Sequence, residues 1–342
     1  MPEGHTVHRL AAAHRRMFQG HTVRAMSPQG RFAAGAHRLD GQILTGAEAL
    51  GKHLLLGFGG FYDAAGPGPT TEQESTAEQE PEAENGAVHR AEVGGIGESA
   101  FVLHVHLGIY GTWSLGAGPL PAPTGAVRLR LSTAGGVGDG GCGGGRGDGD
   151  GPGGGDGAAG VVAYADLRGP NACELLEPGE IRALRDRLGP DPLRGDADPD
   201  RAYRRIVRSR TPIATLLMDQ SVIAGPGNIY RAEVLFRAGV APMLPGRDVS
   251  ASLWSAIWAD LVVLMAEGVR TGRIDTVRAE HTPEAMGRAP RVDDHGGEVY
   301  VYRRAGLPCL VCATEVRMRT LAGRNLFWCP GCQPATALST VR

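Results

Sequence analysis

The sequence predicts an α+β chain of several domains, and three observations carry that prediction. Period-two runs of apolar residues recur through the first half, helical spacing takes over for about ninety residues after position 200, and four of the six cysteines crowd between Cys309 and Cys332. A length of 342 residues allows two or three domains, and 42% hydrophobic with 21% charged residues is ordinary for a chain that buries a core. A fibre and a wholly disordered chain are excluded. No stretch approaches the ~18 consecutive apolar residues of a membrane span. The first fifteen residues carry Glu3, three histidines and two arginines where a signal peptide needs an apolar core. The expected location is the cytoplasm, with no membrane partner.

The elements follow in order. Val7, Leu10, Ala11, His14, Met17 and Phe18 recur at helical spacing; Pro2 and Glu3 begin that helix and Gly20 stops it. KHLLLGF (52–58) and VVAYADL (161–167) read as strands. In FVLHVHL, Phe101, Leu103, Val105 and Leu107 alternate with Val102, His104 and His106, and in VRLRL, Val127, Leu129 and Leu131 alternate with Arg128 and Arg130. Such strands are expected to turn one face to a core. Residues 69–86, rich in Glu, Thr, Gln and Ala, and residues 134–160, with sixteen glycines in twenty-seven positions, can bury nothing. They are expected to be disordered inserts, at about 63–98 and 134–160, within one folded unit spanning 1–190. The Pro/Asp-rich stretch 191–200 reads as a linker. A helix from Pro212 through LLMDQ, a break at Gly225-Pro226-Gly227, a second helix from Ile229 to Arg237 and a third lined by Leu253, Ile257, Leu261, Leu264 and Met265 predict an α domain over 200–290. A short cysteine module closes the chain at 299–335.

The formal charge of -2 hides a division. Residues 63–100 hold nine acids against Arg90, and residues 134–160 hold four against Arg146, which leaves +9 on the other 277 residues. A polyanionic partner suits that balance. Of 35 basic residues, Lys52 is the only lysine.

Three constellations carry chemistry. Cys309-x-x-Cys312 and Cys329-x-x-Cys332, sixteen residues apart, have the spacing of two knuckles that bring four thiolates around one zinc ion; two disulfides are the competing reading. Cys142 and Cys173 have no partner at ligand spacing. Arg317, Arg319 and Arg324 make the segment between and around the knuckles basic, which suits phosphate, although a purely structural ribbon has the same cysteines. GPGNIYRAE (225–233) places glycines before a helix start, where free N–H groups and the helix dipole attract an anion, with Asn228 at the N-cap; an ordinary Asn-capped corner is the alternative. Removal of Met1 is expected to leave Pro2 as a secondary amine with a pKa far below that of lysine, beside Glu3; alternatively Pro2 starts a helix and Glu3 complements its dipole. His5, His8, His14, His104 and His106 have no ligand spacing and read as structural or phosphate contacts.

Taken together, PEGHTVHRLA at the terminus, GKHLLL (51–56), HLGIYG (106–111), DQSVIAGPGNIYRAE (219–233) and GRNLFWCPGCQ (323–333) resemble the formamidopyrimidine-DNA glycosylase/endonuclease VIII family, nearer its endonuclease VIII branch in actinobacterial form. The resemblance covers nearly all of the chain outside the two inserts. It implies an N-terminal helix plus β-sandwich, a helix-two-turns-helix domain and a zinc-ribbon β-hairpin around a DNA-binding cleft, one structural zinc ion, and a monomer acting on damaged double-stranded or single-stranded DNA at the nucleoid. The implied activity is removal of oxidised bases, with pyrimidines the expected class, followed by β,δ-elimination at the abasic site.

Residue by residue, the resemblance makes Pro2 the nucleophile, Glu3 the acid of ring opening and proton transfer, Lys52 the amine at the phosphate flanking the lesion and Arg324 the promoter of the second elimination. It makes Asn228 a phosphate contact and Ile109 and Tyr110 the wedge that fills the place of the everted base; for those two, packing at the sandwich edge is the alternative. Arg168 in DLRG matches only part of the family's DxRRFG loop, since the second Arg and the Phe are absent. Thr6 stands where the family commonly has another glutamate, a departure that bears on base excision and leaves the lyase chemistry of Pro2 intact. A purine-preferring glycosylase and a zinc-dependent damaged-DNA-binding protein without catalysis are the rival functions.

Overall fold

The computed structural model describes residues 2–61, 96, 99–133, 162–292 and 297–335. Most of both expected inserts, and Cys142 with them, lie outside the described residues. Helix α1 (Gly4–Phe18) comes first, then β1 (Val23–Met26), α2 (Ala33–Leu39), β2 (Gln42–Leu50), β3 (His53–Phe61), β4 (Phe101–His106), β5 (Thr112–Gly118), β6 (Val127–Thr133), β7 (Val162–Arg168) and β8 (Ala172–Leu176). The strands form two antiparallel four-stranded sheets, in the orders β1-β6-β7-β5 and β2-β3-β4-β8. Leu54, Leu56, Leu103 and Val105 of one sheet meet Leu129, Leu131 and Leu167 of the other, and Val7, Ala11 and Phe18 of α1 close the same core. This is the helix and sandwich that the sequence implies. The helix itself begins two residues later than expected, at Gly4, with Glu3 in extended conformation as its N-cap and Pro2 outside it.

The expectation of one buried face per strand fails for β4. Val102 and His104 are buried as well as Leu103 and Val105. The reason is helix α3 (Pro178–Arg187), whose Leu184, with Leu188 beyond it, covers Leu55 and Val102 on the outer face of the sheet. In the other sheet an alternating position is buried by pairing: Arg130, 2% exposed, makes a two-pronged ion pair with Asp166 at 2.6 and 2.8 Å.

Beyond residue 190 the chain is helical: α4 (Pro199–Ile206), α5 (Ile213–Leu216), α6 (Asn228–Arg237) and α7 (Ala251–Thr271). The expected helix through LLMDQ stops at Leu216, because Asp219 folds the chain into a turn by accepting the N–H of Ser221 at 2.9 Å. Helix α7 has the length and mean hydropathy of a membrane span, but Trp254, Ile257, Leu261 and Met265 are spent on the core of this domain. That core continues without a break into residues 299–302 and into the hairpin β9 (Arg317–Leu321) and β10 (Arg324–Trp328) through Val316, Leu326 and Phe327. Buried Glu233 of α6 explains the junction: its carboxylate accepts the N–H groups of Tyr300, Val301 and Tyr302 at 2.7–2.9 Å and the Thr276 hydroxyl at 2.6 Å.

His14, fully buried in α1, gives the fold an acid limit. Its Nδ1 bonds the Leu10 carbonyl at 2.8 Å, Nε2 has no partner, and the ring stands edge-on to Trp113. Burial holds its pKa down to about 4. In the unfolded chain the ring titrates near 6.5, so its contribution is complete above that pH and is lost as pH falls toward 4. Unfolding in urea should show a loss of ~3 kcal/mol across that window that His14→Phe reduces. Equal acid sensitivity of the two proteins would refute this assignment.

Candidate active site

Five separate segments meet at one place. The start of α1, the β2–β3 turn, the end of β4 with the loop after it, the loop before α6 and the hairpin β9–β10 surround a cavity of about 220 Å³ lined by Pro2, Lys52, His106, Ile109, Gln220 and Arg324, among others. Glycines make the approach possible. A Cβ on Gly51, whose φ is +58°, would lie 2.8 Å from the Ala224 side chain. A Cβ on Gly227 would lie 2.5 Å from Cδ of Glu3. The GKH and GPGN motifs therefore hold glycine because backbone and carboxylate occupy the space of a side chain.

Glu3 lies behind the cavity wall, fully buried. Its carboxylate accepts the N–H of Gly227 and of Ile229, each at 2.8 Å, and that of Tyr230 at 3.4 Å. The anion site expected at this helix start thus exists, and an anion of the chain itself fills it. A backbone bond from Gly4 to the carbonyl of Gly225, 2.9 Å, completes the tie. Asn228 does not cap the helix as expected; Gly227 is the N-cap, and Asn228 is the first helical residue. Its amide instead donates to the Asn325 carbonyl of β10 at 3.0 Å, and its oxygen accepts from Arg231. Buried Arg231 also reaches the Asn325 carbonyl, at 3.3 Å. Burial lowers the Arg231 pKa to about 10, with Glu3 opposing.

Lys52 is held below the usual lysine range, chiefly by burial, with Glu3 acting to raise it and Arg324 to lower it further. Ile109 and Tyr110 follow β4 and are 48% and 84% exposed, with Ile109 on the cavity rim. Arg168 is elsewhere, at the end of β7, where it donates to the Thr124 carbonyl, Ser114 and Asp166. Thr6 bonds His5 at 3.2 Å on the first turn of α1.

Sequence reading missed three supports. Asp191, in the stretch read as a linker, is buried and accepts from Gly51 N at 2.8 Å and Leu193 N at 3.0 Å and meets His8 Nε2 at 2.7 Å. Buried Glu48 of β2 pairs with Arg185 and Arg194. Glu233 is the third. Only Glu233 lay within a noticed motif; the others pair with residues more than a hundred positions away, and no local pattern marks them.

The four sulfurs of Cys309, Cys312, Cys329 and Cys332 lie within 4.8 Å of one another. Cys309 and Cys332 are 3.8 Å apart, Cys312 and Cys329 3.4 Å. Thiolates at ~2.3 Å from a tetrahedral zinc ion stand about 3.8 Å apart, so the cluster fits one zinc ion and does not fit two disulfides. One structural zinc ion belongs here. It anchors the hairpin whose tip supplies Arg324 and Asn325.

Comparison with known proteins agrees with this arrangement. Family models match in chain order: the formamidopyrimidine-DNA glycosylase N-terminal domain over 1–139, its H2TH domain over 188–279 and a zinc finger found in FPG and IleRS over 306–335. Endonuclease 8 1 of Mycobacterium tuberculosis is 42% identical over 340 residues, 97% of this chain and 100% of the relative. Formamidopyrimidine-DNA glycosylase of Parasynechococcus marenigrum is 34% identical over 147 residues, 43% of this chain and 51% of the relative. Among solved structures, formamidopyrimidine-DNA glycosylase of Lactococcus lactis bound to DNA containing an abasic site superposes with a TM-score of 0.62 at 19% identity, covering 98% of this chain and 100% of that one. The Thermus thermophilus protein gives 0.59 at 22% identity, covering 97% and 98%. These two show a shared fold. The full-length identity to endonuclease 8 1 goes further: the chain belongs to the formamidopyrimidine-DNA glycosylase/endonuclease VIII family.

Proposed function

We propose that this protein is a bifunctional DNA glycosylase and abasic-site lyase of base excision repair, removing oxidised bases, pyrimidines by preference, and cutting the strand by β,δ-elimination. One observation carries the reading: Pro2, Lys52 and Arg324 line a single cavity with Glu3 directly behind it. After loss of Met1 the Pro2 nitrogen attacks the anomeric carbon, and departure of the base leaves an iminium. The iminium acidifies the neighbouring sugar hydrogen, so one covalent intermediate serves both eliminations. Glu3, next to the nucleophile, moves protons during ring opening. Lys52 holds the phosphate beside the lesion, and Arg324, on the same cavity, promotes the second elimination. The exposure of Ile109 at the rim and of Tyr110 beside it suits a wedge entering the place of the everted base. Asn228 and Arg168 are further DNA contacts in this reading, though both side chains are also engaged within the protein. Thr6 in place of a glutamate makes base excision the weaker of the two activities.

Borohydride reduction tests the reading. An adduct should form on abasic-site DNA and map to Pro2, and a retained Met1 should abolish it because the proline nitrogen is then an amide. Lys52→Ala should slow turnover by about a hundredfold without moving the attachment point. An adduct on Lys52 would exchange the two roles. Damage binding with no adduct at all would favour a non-catalytic DNA-binding protein, and faster excision of purine lesions would overturn the pyrimidine preference.

A further inference from the structure

The elimination described under Proposed function makes a demand on the cleft. When the iminium reacts, the C2′–H and C3′–O bonds break, a C2′=C3′ double bond forms and the 3′ oxygen leaves with its phosphate. The balance is one phosphomonoester and one proton. That proton must pass from a cavity covered by DNA into bulk water.

A chain of side chains runs along that route on the outer face of the β2-β3-β4-β8 sheet. His106 lines the cavity beside Pro2 and Lys52. Directly opposite it on β3 is His53, whose ring packs against it with centroids 4.8 Å apart. His53 Nδ1 is 2.8 Å from His104 Nε2, and His104 Nδ1 is 3.0 Å from Glu174 Oε1 on β8. The side chain of His104 is 8% exposed and that of Glu174 56% exposed, so the chain begins at the cavity wall and ends in solvent.

Its hydrogen bonds also have a direction. A carboxylate only accepts, so His104 donates from Nδ1 to Glu174, and in the tautomer with Nε2 unprotonated it accepts there from His53. His53 must then donate from Nδ1, which leaves its Nε2 as a lone pair. Burial pushes the His53 pKa down to about 3, with His104, His106, Arg187 and Lys52 adding to the effect, and lowers that of His106, with His104 and Lys52 adding. A ring in that tautomer carries one proton and one lone pair, the arrangement in which imidazole can take a proton on one side and release another on the opposite side.

We propose that His53, His104 and Glu174 form a proton exit path to solvent from the cleft wall at His106. A proton taken at His53 Nε2 displaces the Nδ1 proton to His104, which passes its own to the exposed carboxylate. This assignment rests on the lyase reading above, and the experiment separates the two. Single-turnover elimination on preformed abasic-site DNA is measured in dilute buffer. His104→Ala should slow it about tenfold, and tens of millimolar imidazole, which fits the space left by the ring, should restore it. His104→Phe should be equally slow and not restored, since its own ring fills that space. Borohydride trapping, which precedes proton release, should match wild type in both variants, as a check that the site is intact. Elimination by both variants at the wild-type rate, or a slow His104→Ala that imidazole does not restore, would overturn the path. Wild-type protein that borohydride does not trap would sink the lyase reading instead.

Discussion

Glu3→Gln should cost about 10²–10⁴-fold in excision of an oxidised base, and much less in incision at a preformed abasic site. The carboxylate is held by three N–H donors from the first turn of α6, and the isosteric amide keeps one acceptor oxygen while turning an NH₂ group toward donors. Two effects are therefore superimposed. The proton-transfer role is lost, and the buried polar mismatch destabilises the junction by ~1–3 kcal/mol. Thermal unfolding reads the second alone, and the two substrates separate the first, because no base has to depart from an abasic site. Equal losses on both substrates would mean that Glu3 serves only to hold the terminus in place.

Cys329→Ser should be the most disruptive single change in the carboxy-terminal module. Cys329 is fully buried, donates its N–H to Gln333 and stands in the same apolar cluster as Leu326, Phe327 and Tyr302. Structural zinc in small ribbons contributes ~10–16 kcal/mol of apparent binding free energy, far more than a short hairpin could otherwise supply. Without the fourth thiolate the hairpin should loosen, withdrawing Arg324 from the cavity and the Asn325 carbonyl from Asn228 and Arg231. Metal analysis should give one zinc per wild-type chain and less than about half of that in the variant, with DNA affinity reduced at least tenfold. Substoichiometric zinc with unchanged affinity would separate the ribbon from DNA binding.

The parts of this architecture that are legible in the sequence are those written in local spacing. The period-two strands, the cysteine knuckles and the apolar stripe of α7 each follow from a few consecutive residues. The glycine motifs are legible as positions, but their reason appears only when Gly51 meets Ala224 and Gly227 meets Glu3. The double-sided burial of β4 depends on α3, which the sequence does not announce with a strong apolar stripe. At the site, Pro2, Lys52 and Arg324 are nameable in advance, whereas Asp191, Glu48 and the chain from His53 to Glu174 join positions 51 to 183 residues apart. His104 and Glu174 look like ordinary strand residues until the register of β4 and β8 sets them face to face.

The fastening of Glu3 to α6 has a mechanical consequence. Pro2 and Lys52 share one mooring: the first is tied through its neighbour to the first turn of a helix 224 residues away, and the second rides on a turn whose Gly51 packs on Ala224 of the loop before that helix. A shift of that loop would therefore move the two amines together rather than change their separation. The pin between Gly51 and Asp191 limits that travel. The reacting centre is then assembled before DNA arrives, and a change that frees this loop would loosen both amines at once.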